Sequence, residues 1–387
     1  MKLRSLAISL LCGFVLLAAA LPNARTAAAQ SEPFRVPFLA TFSGALAYYG
    51  NDMFAAAEIV QELINEKGGI QGRPLQLYQV DGPWDDMPMT LTQVKKLGSD
   101  PSVPMLLDSG TTSQVIAAHD LVNKNKLPSF AFANSGFWPH ATIGPWLFRS
   151  MPQVKTAFPV MFPRIVKKWQ PRTAAMVYTH DQEYAVNNAK VVREFLDKFN
   201  IELVTEATGK AKDPDWRPQL TRVKAANVDL LFLMGPGNDT GLMVKTARDM
   251  GMSMPVIGDV GMTHQDYWDM SKGRTGTTIF YNLYDPEDPR PYIQELIANH
   301  KAKTGQVPDQ WRALSADAIY IMAKVLNRAD DLTRESIRKA FSETKSVESL
   351  TGRIGWKGSG NAFREEVIIA TWKDGNIVRV PESFWNQ

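Results

Sequence analysis

The sequence predicts an α/β protein made of two Rossmann-like lobes with parallel sheets. Three observations carry that expectation. Short apolar runs alternate with helical segments from Phe34 to about Gly258, a pattern that lays helices on both faces of parallel sheets. The chain of 387 residues is long enough for about two domains. Neither a low-complexity linker nor an internal repeat is visible, which points to a chain that crosses between its lobes more than once.

The opening segment, MKLRSLAISLLCGFVLLAAALPNARTAAAQ, has basic Lys2 and Arg4, an apolar run and a small-residue ending. That is the pattern of a secretory signal peptide, 1–29, and the apolar run is short for a membrane span. Ala27-Ala28-Ala29 is the better cleavage site, with an earlier one ending at Ala20. Cys12 lies inside the run behind Leu10 and Leu11, without the small residue that lipid attachment wants immediately before it. It is the only cysteine, so the mature chain is expected to have neither a disulfide nor thiolate chemistry. An exported protein of this size buries a core without such staples. Loss of Lys2, Arg4 and Arg25 takes the formal charge from +3 to zero, which removes what little support a basic nucleic-acid surface had.

Thr41–Asp81 reads as a loop carrying Ser43, Gly44, Tyr48 and Tyr49, then a helix, a Gly68-Gly69 stop and a strand. Asn51 is the expected cap, and Met53, Ala56, Ala57, Val60, Leu63 and Ile64 recur at helical spacing. A small-residue loop feeding a helix N-terminus predicts an anion site, because the first amides have no partner inside the helix. Further strands are expected at Leu75–Asp81, Met105–Asp108, Ser129–Ala133, Ala174–Tyr178, Ile201–Thr205, Leu230–Met234 and Val256–Gly258. Helical patterns lie between them near Pro88–Gly98, Ser113–Lys126, Tyr184–Phe199, Trp216–Ala226 and Thr240–Met250. Late helices are expected at Ala298–Lys303 and Leu314–Asn327. Val367–Trp372 and Ile377–Val380 form a hairpin pattern around Asp374-Gly375.

Ligands of open α/β sheets sit at the carboxyl ends of strands, where loops feed helices. Three such loops stand out. Asp108-Ser-Gly-Thr-Thr-Ser113, with Thr111 and Thr112, offers hydroxyls and amides for a carboxylate; Ala133-Asn-Ser-Gly136 does the same one strand later. His180-Asp-Gln-Glu-Tyr184 follows a strand of the second lobe. Each alone reads more readily as an ordinary capped turn. Their common placement predicts a joint site.

Several marks, in this order and spacing, give the chain a wider resemblance from about Phe34 to Val380. They are Ser43-Gly44 with Tyr49-Gly50, Asn65-Glu-Lys-Gly-Gly-Ile70 with Gly72-Arg73, Asp181 with Tyr184, and Asp229-Leu-Leu-Phe. Ala247-Arg with Met250-Gly251 and Leu350-Thr-Gly-Arg-Ile-Gly-Trp356 complete the set. The chain resembles the leucine/isoleucine/valine-binding type of solute-binding protein that serves ABC importers. The resemblance implies a periplasmic-binding-protein type I fold, with two α/β lobes joined by a three-crossover hinge around a ligand cleft. By it, lobe 1 is 34–152 and 283–352, and lobe 2 is 153–282 and 353–387.

It also implies roles. Thr112 and Ser135 match residues that hold a ligand carboxylate, Ala133 a carbonyl that helps hold the ammonium, and Tyr49, Tyr184 and Trp311 aromatic walls. The acid that balances the ammonium aligns with Val260, and another family aromatic with Pro236. A buried ammonium without a counter-charge is costly, so either the neighbouring Asp259 takes the role or the ligand has no ammonium. The expectation is a periplasmic, monomeric protein that captures an apolar amino acid by lobe closure and presents it to an ABC permease, with no metal or organic cofactor. The alternative is an aromatic or other hydrophobic carboxylate without an amine, suited to Trp84, Trp138 and Trp311.

Enzymatic readings find little support. His119, His140, His180, His264 and His300 are isolated, with no pair at metal-ligand spacing. No G-x-S-x-G elbow or P-loop is present. Gly235-Pro-Gly237 lacks the third glycine of a dinucleotide fingerprint, and Pro236 removes an amide. Asp213, Asp215, Glu365 and Glu366 read as a helix start and a solvated face. A repressor of related shape would open with a DNA-binding helix-turn-helix, where this chain has a signal peptide.

Overall fold

The computed structural model describes residues 32–44, 46–133, 144–151, 154–356, 360–364 and 367–386. The expected signal peptide, Ser135, Trp138, Glu365 and Glu366 lie outside them.

The strands are, in chain order, β1 (Phe34–Ala40), β2 (Leu75–Asp81), β3 (Leu106–Asp108), β4 (Ser129–Ala131) and β5 (Leu147–Arg149). Then come β6 (Thr173–Thr179), β7 (Glu202–Gly209), β8 (Leu230–Met234), β9 (Val256–Gly258) and β10 (Thr278–Asn282). The last are β11 (Val347–Ser349), β12 (Gly352–Gly355), β13 (Phe363–Arg364), β14 (Ile368–Lys373) and β15 (Asn376–Arg379). Helices α1 (Ala47–Glu66), α2 (Met87–Ser99) and α3 (Thr112–Lys124) serve the first five strands. Next are α4 (Val154–Trp169), α5 (Glu183–Lys198), α6 (Arg217–Ala226), α7 (Gly237–Asp249) and α8 (Gln265–Ser271). Four come after β10: α9 (Pro291–Thr304), α10 (Gln310–Leu326), α11 (Arg334–Glu343) and α12 (Glu382–Trp385).

These strands make two separate parallel sheets, as alternation predicts. The first runs β2-β1-β3-β4-β5. The second runs β7-β6-β8-β9-β10 and is extended by antiparallel β14 and β15. The parallel part of each sheet thus has the same order, a repetition in space that the residues do not display. Strands β11, β12 and β13 form a small antiparallel sheet of their own.

Helix α1 begins at Ala47, so Asn51 is an exposed residue inside it and caps nothing. Tyr48 and Tyr49 therefore belong to its first turn. Gly68 and Gly69 end the helix with positive φ, 101° and 73°. Gly50 meets the end of β1 closely, where an added Cβ would lie 2.1 Å from the Thr41 carbonyl oxygen. The preceding loop is not an open anion site. The Asp81 carboxylate already accepts the Phe42 and Ser43 amides at 2.8 and 3.2 Å.

Two large apolar clusters hold the sheets. Phe38, Phe54 and Phe132 meet in the first, which also takes in Ala316, Ile319 and Met322 of α10. Phe158, Phe162 and Phe232 centre the second. The chain passes from first to second between Phe148 and Met151, and returns between Leu283 and Tyr284. Ile354, Trp356 and Ala362 pack in the first cluster, whereas the resemblance put residues from 353 onward in the second lobe. The reason is Trp356. Its ring meets Phe130, Phe148 and Phe341, and its indole N–H donates to the Arg149 carbonyl at 2.8 Å.

Candidate ligand cleft

A strand order of this kind reverses direction at one place in each sheet, and there the loops part to leave a crevice. In the first sheet the place is between β1 and β3, in the second between β6 and β8. A cavity of about 250 Å³ is lined from both. Tyr49, Thr111, Thr112 and Ala133 come from the first side, and Tyr184, Pro236, Gly237, Val260 and Gly261 from the second. Trp84 and Trp311 complete the wall. A liquid water occupies about 30 Å³, so the space suits a solute of single-amino-acid size.

The wall is aromatic. The Tyr49 ring lies 4.9 Å from Trp84 and 6.1 Å edge-on from Trp311. Trp84 is fixed by its indole N–H, which donates to the Ser109 carbonyl at 2.9 Å. The Trp311 indole nitrogen is buried with no hydrogen-bond partner among the described residues. Burial pushes the Tyr49 and Tyr184 phenols well above their ordinary pKa, so both remain neutral donors.

The polar end is the start of α3. Thr111 is its N-cap, accepting from the Gln114 amide at 3.3 Å while the Gln114 side chain accepts from the Thr111 amide at 3.0 Å. This capping box uses the Thr111 hydroxyl for the helix itself. Thr112, the first helical residue, is 3% exposed and lines the cavity. Its neighbouring amides sit where an anion is welcome.

Asp259 does not reach the cavity. Its side chain is buried beneath the turn at Val260–Thr263, accepting from the Gly261 amide at 2.9 Å and from Asn188 Nδ2 at 2.7 Å. Burial pushes its pKa up to about 7. The cavity is lined instead by its neighbours Val260 and Gly261. Asp239, in the first turn of α7, does line it; one carboxylate oxygen accepts from the Lys212 amide at 2.8 Å. The Lys212 ammonium lies 3.5 Å from Asp85 on the opposite side.

Further contacts cross between the halves. Tyr48 and Tyr49 of α1 both donate to the Asp266 carboxylate, at 3.0 and 2.8 Å. His264 stands between Asp266 and Asp309, 3.1 and 3.7 Å away. Burial works against a charged His264, but the Asp266 hydrogen bond and the nearby Asp309 carry its pKa above the ordinary value. Among the described residues, no three His, Cys, Asp or Glu side chains gather as a metal site.

The model of the periplasmic binding protein family matches residues 33–376. The chain belongs to that family. A Leu/Ile/Val-binding protein homolog of Brucella melitensis is 23% identical over 357 residues, covering 91% of this chain and 95% of the relative. The Leu/Ile/Val-binding protein of Escherichia coli K12 is 23% identical over 363 residues, covering 93% and 96%. The fold matches the isoleucine complex of the branched-chain amino acid transporter substrate-binding protein LivJ from Streptococcus pneumoniae. There the TM-score is 0.81 at 20% identity, over 89% of this chain and 98% of that one.

In this periplasmic binding protein, Tyr49, Thr111, Thr112, Ala133, Tyr184 and Trp311 gather round one cavity. Asp259 stands behind its wall, and Ser135 lies outside the described residues. Sequence reasoning passed over Asp239, although the turn after β8 obeys the same strand-to-helix rule as the three loops singled out above. It also passed over Lys212 and Asp266, whose relation to the cleft has no local signal, since their partners come from distant parts of the chain.

Proposed function

We propose that this binding protein captures a single apolar amino acid, of the leucine, isoleucine and valine kind, and presents it to an ABC permease. The observation that carries the reading is the make-up of the cavity. A helix N-terminus with the Thr112 hydroxyl offers a carboxylate site, and Tyr49, Trp84 and Trp311 offer an apolar wall beside it. Relatives named for these ligands along nearly their whole length support the same choice.

In this reading the segment 1–29 is a signal peptide removed on export to the periplasm, and the mature protein works as a monomer without a cofactor or turnover. The ligand first meets Thr112, Ala133 and Ser135; Tyr184 and the second half then close over it. A ligand that stabilises the closed arrangement shifts the population toward it, and that shape is what the permease would recognise. The test is a thermal-shift panel on residues 30–387, refolded to strip carried-over solute. Leucine, isoleucine or valine should raise the melting temperature through preferential binding to the native state. A rise with amine-free acids alone would overturn the amino-acid reading.

A further inference from the structure

The cavity has a carboxylate that the donors among the described residues satisfy only in part. Asp239 is 2% exposed, and while its Oδ1 takes the Lys212 amide, its Oδ2 is buried with no hydrogen-bond partner among the described residues. It sits on the cavity lining beside Pro236, Gly237 and Asn238. Burial, joined by the like charges of Asp181, Asp266 and Asp213, pushes its pKa up to about 6, still below neutral pH. Its position in the first turn of α7 favours the ionised form. A buried carboxylate oxygen left without a donor is unfavourable, and a charged N–H donor is the group that relieves it best.

The other acids at the cleft are engaged: Asp266, which does not line the cavity, holds the Tyr48 and Tyr49 hydroxyls on one oxygen and faces His264 at 3.1 Å with the other. Asp85 is paired with Lys212, Asp181 is exposed and accepts the Ala211 amide at 2.9 Å, and both Asp259 oxygens are taken. Position 260, where the resemblance leads one to look for the acid, is an apolar valine lining the same cavity. We propose that Asp239 Oδ2 is the counter-charge for the ligand ammonium in this chain, which makes the site selective for amine-bearing solutes. The proposal rests on the amino-acid reading above. It relocates the positive end of the ligand to the start of α7, with the carboxylate remaining at the start of α3.

The test is calorimetric titration of the refolded mature protein and its Asp239→Asn and Asp239→Glu variants. The probes are L-leucine, L-isoleucine, L-valine and the amine-free 4-methylpentanoate. Circular dichroism and the ligand-free melting temperature would establish that the variants fold. The wild type should bind an amino acid and disfavour 4-methylpentanoate. Asp239→Asn should lose about 10- to 100-fold toward the amino acid with little change toward the amine-free acid, and Asp239→Glu should recover part of the loss. Folded Asp239→Asn that binds the amino acid within about threefold of wild type would overturn the role of Asp239 alone. A wild type that binds none of the three amino acids would overturn the amino-acid reading, and the proposal with it.

Discussion

The Tyr49 hydroxyl donates to the Asp266 carboxylate at 2.8 Å, joining helix α1 beside the first sheet to helix α8 beside the second. Tyr48 donates to the same oxygen at 3.0 Å. Tyr49 also lines the cavity, so one side chain is both wall and clasp.

Tyr49→Phe should keep the wall and remove the clasp. A hydrogen bond to a charged group contributes about 1.5–3 kcal/mol when its partner is left behind, so affinity should fall about tenfold or more. Small-angle scattering of the ligand-free variant should show a larger radius of gyration than wild type. An unchanged radius and affinity would mean that this contact does not favour the closed arrangement.

Adjacent threonines should fail differently. Thr111→Ala removes a capping box and should cost about 1 kcal/mol of stability, seen as a melting temperature lower by a few degrees. Thr112→Ala removes a cavity hydroxyl and should weaken ligand binding, with the double change Thr112→Ala, Ser135→Ala abolishing it. Titration and melting curves on the same variants separate the two effects.

Asp259 should govern stability against pH and leave binding alone. Its folded-state pKa of about 7 lies above the ordinary carboxylate value because burial disfavours the charge. Between about pH 4 and 7 the native state holds a proton that the unfolded chain has lost, so this group's contribution declines as pH rises through that window. Asp259→Asn should flatten that part of the melting-temperature profile and raise stability at about pH 8 by a few degrees. The Asn188 Oδ1, which has no partner among the described residues, can turn to accept from the new amide. Leucine affinity should stay within about threefold; a large loss would return Asp259 to the site.

Trp84 and Trp311 should report the ligand. Both line the cavity, and their rings lie 6.2 Å apart. Binding should change the intrinsic tryptophan emission, and Trp311→Phe should remove a substantial part of the change. An undiminished signal in that variant would place the reporting tryptophan elsewhere.

Much of this was legible in the residues. Alternation gave away both parallel sheets, because a strand buried on both faces must be a short apolar run such as Leu230–Met234. The Asp108–Ser113 turn announced itself by its small and hydroxyl residues. Other readings failed for physical reasons. Asn51 had a capping side chain, yet backbone contacts of Gly44 and Leu46 start the helix at Ala47. The hydroxyl-rich turn offered Thr111 and Thr112 alike; both line the cavity, and only the helix register commits the Thr111 hydroxyl to the cap.

Local periodicity and turn chemistry, which the sequence holds by itself, determined the two α/β halves, the loops that could hold a ligand, and the apolar residue at position 260. The tertiary structure alone decided which buried carboxylate lines the cavity. Asp259 is turned into the protein by the Gly261 amide and Asn188, Asp239 is left with one oxygen unpaired at the lining, and Asp266 is held by two tyrosines from the other half. A carboxylate goes where its hydrogen-bond donors are, and those donors are assembled from distant segments of the chain only when it folds.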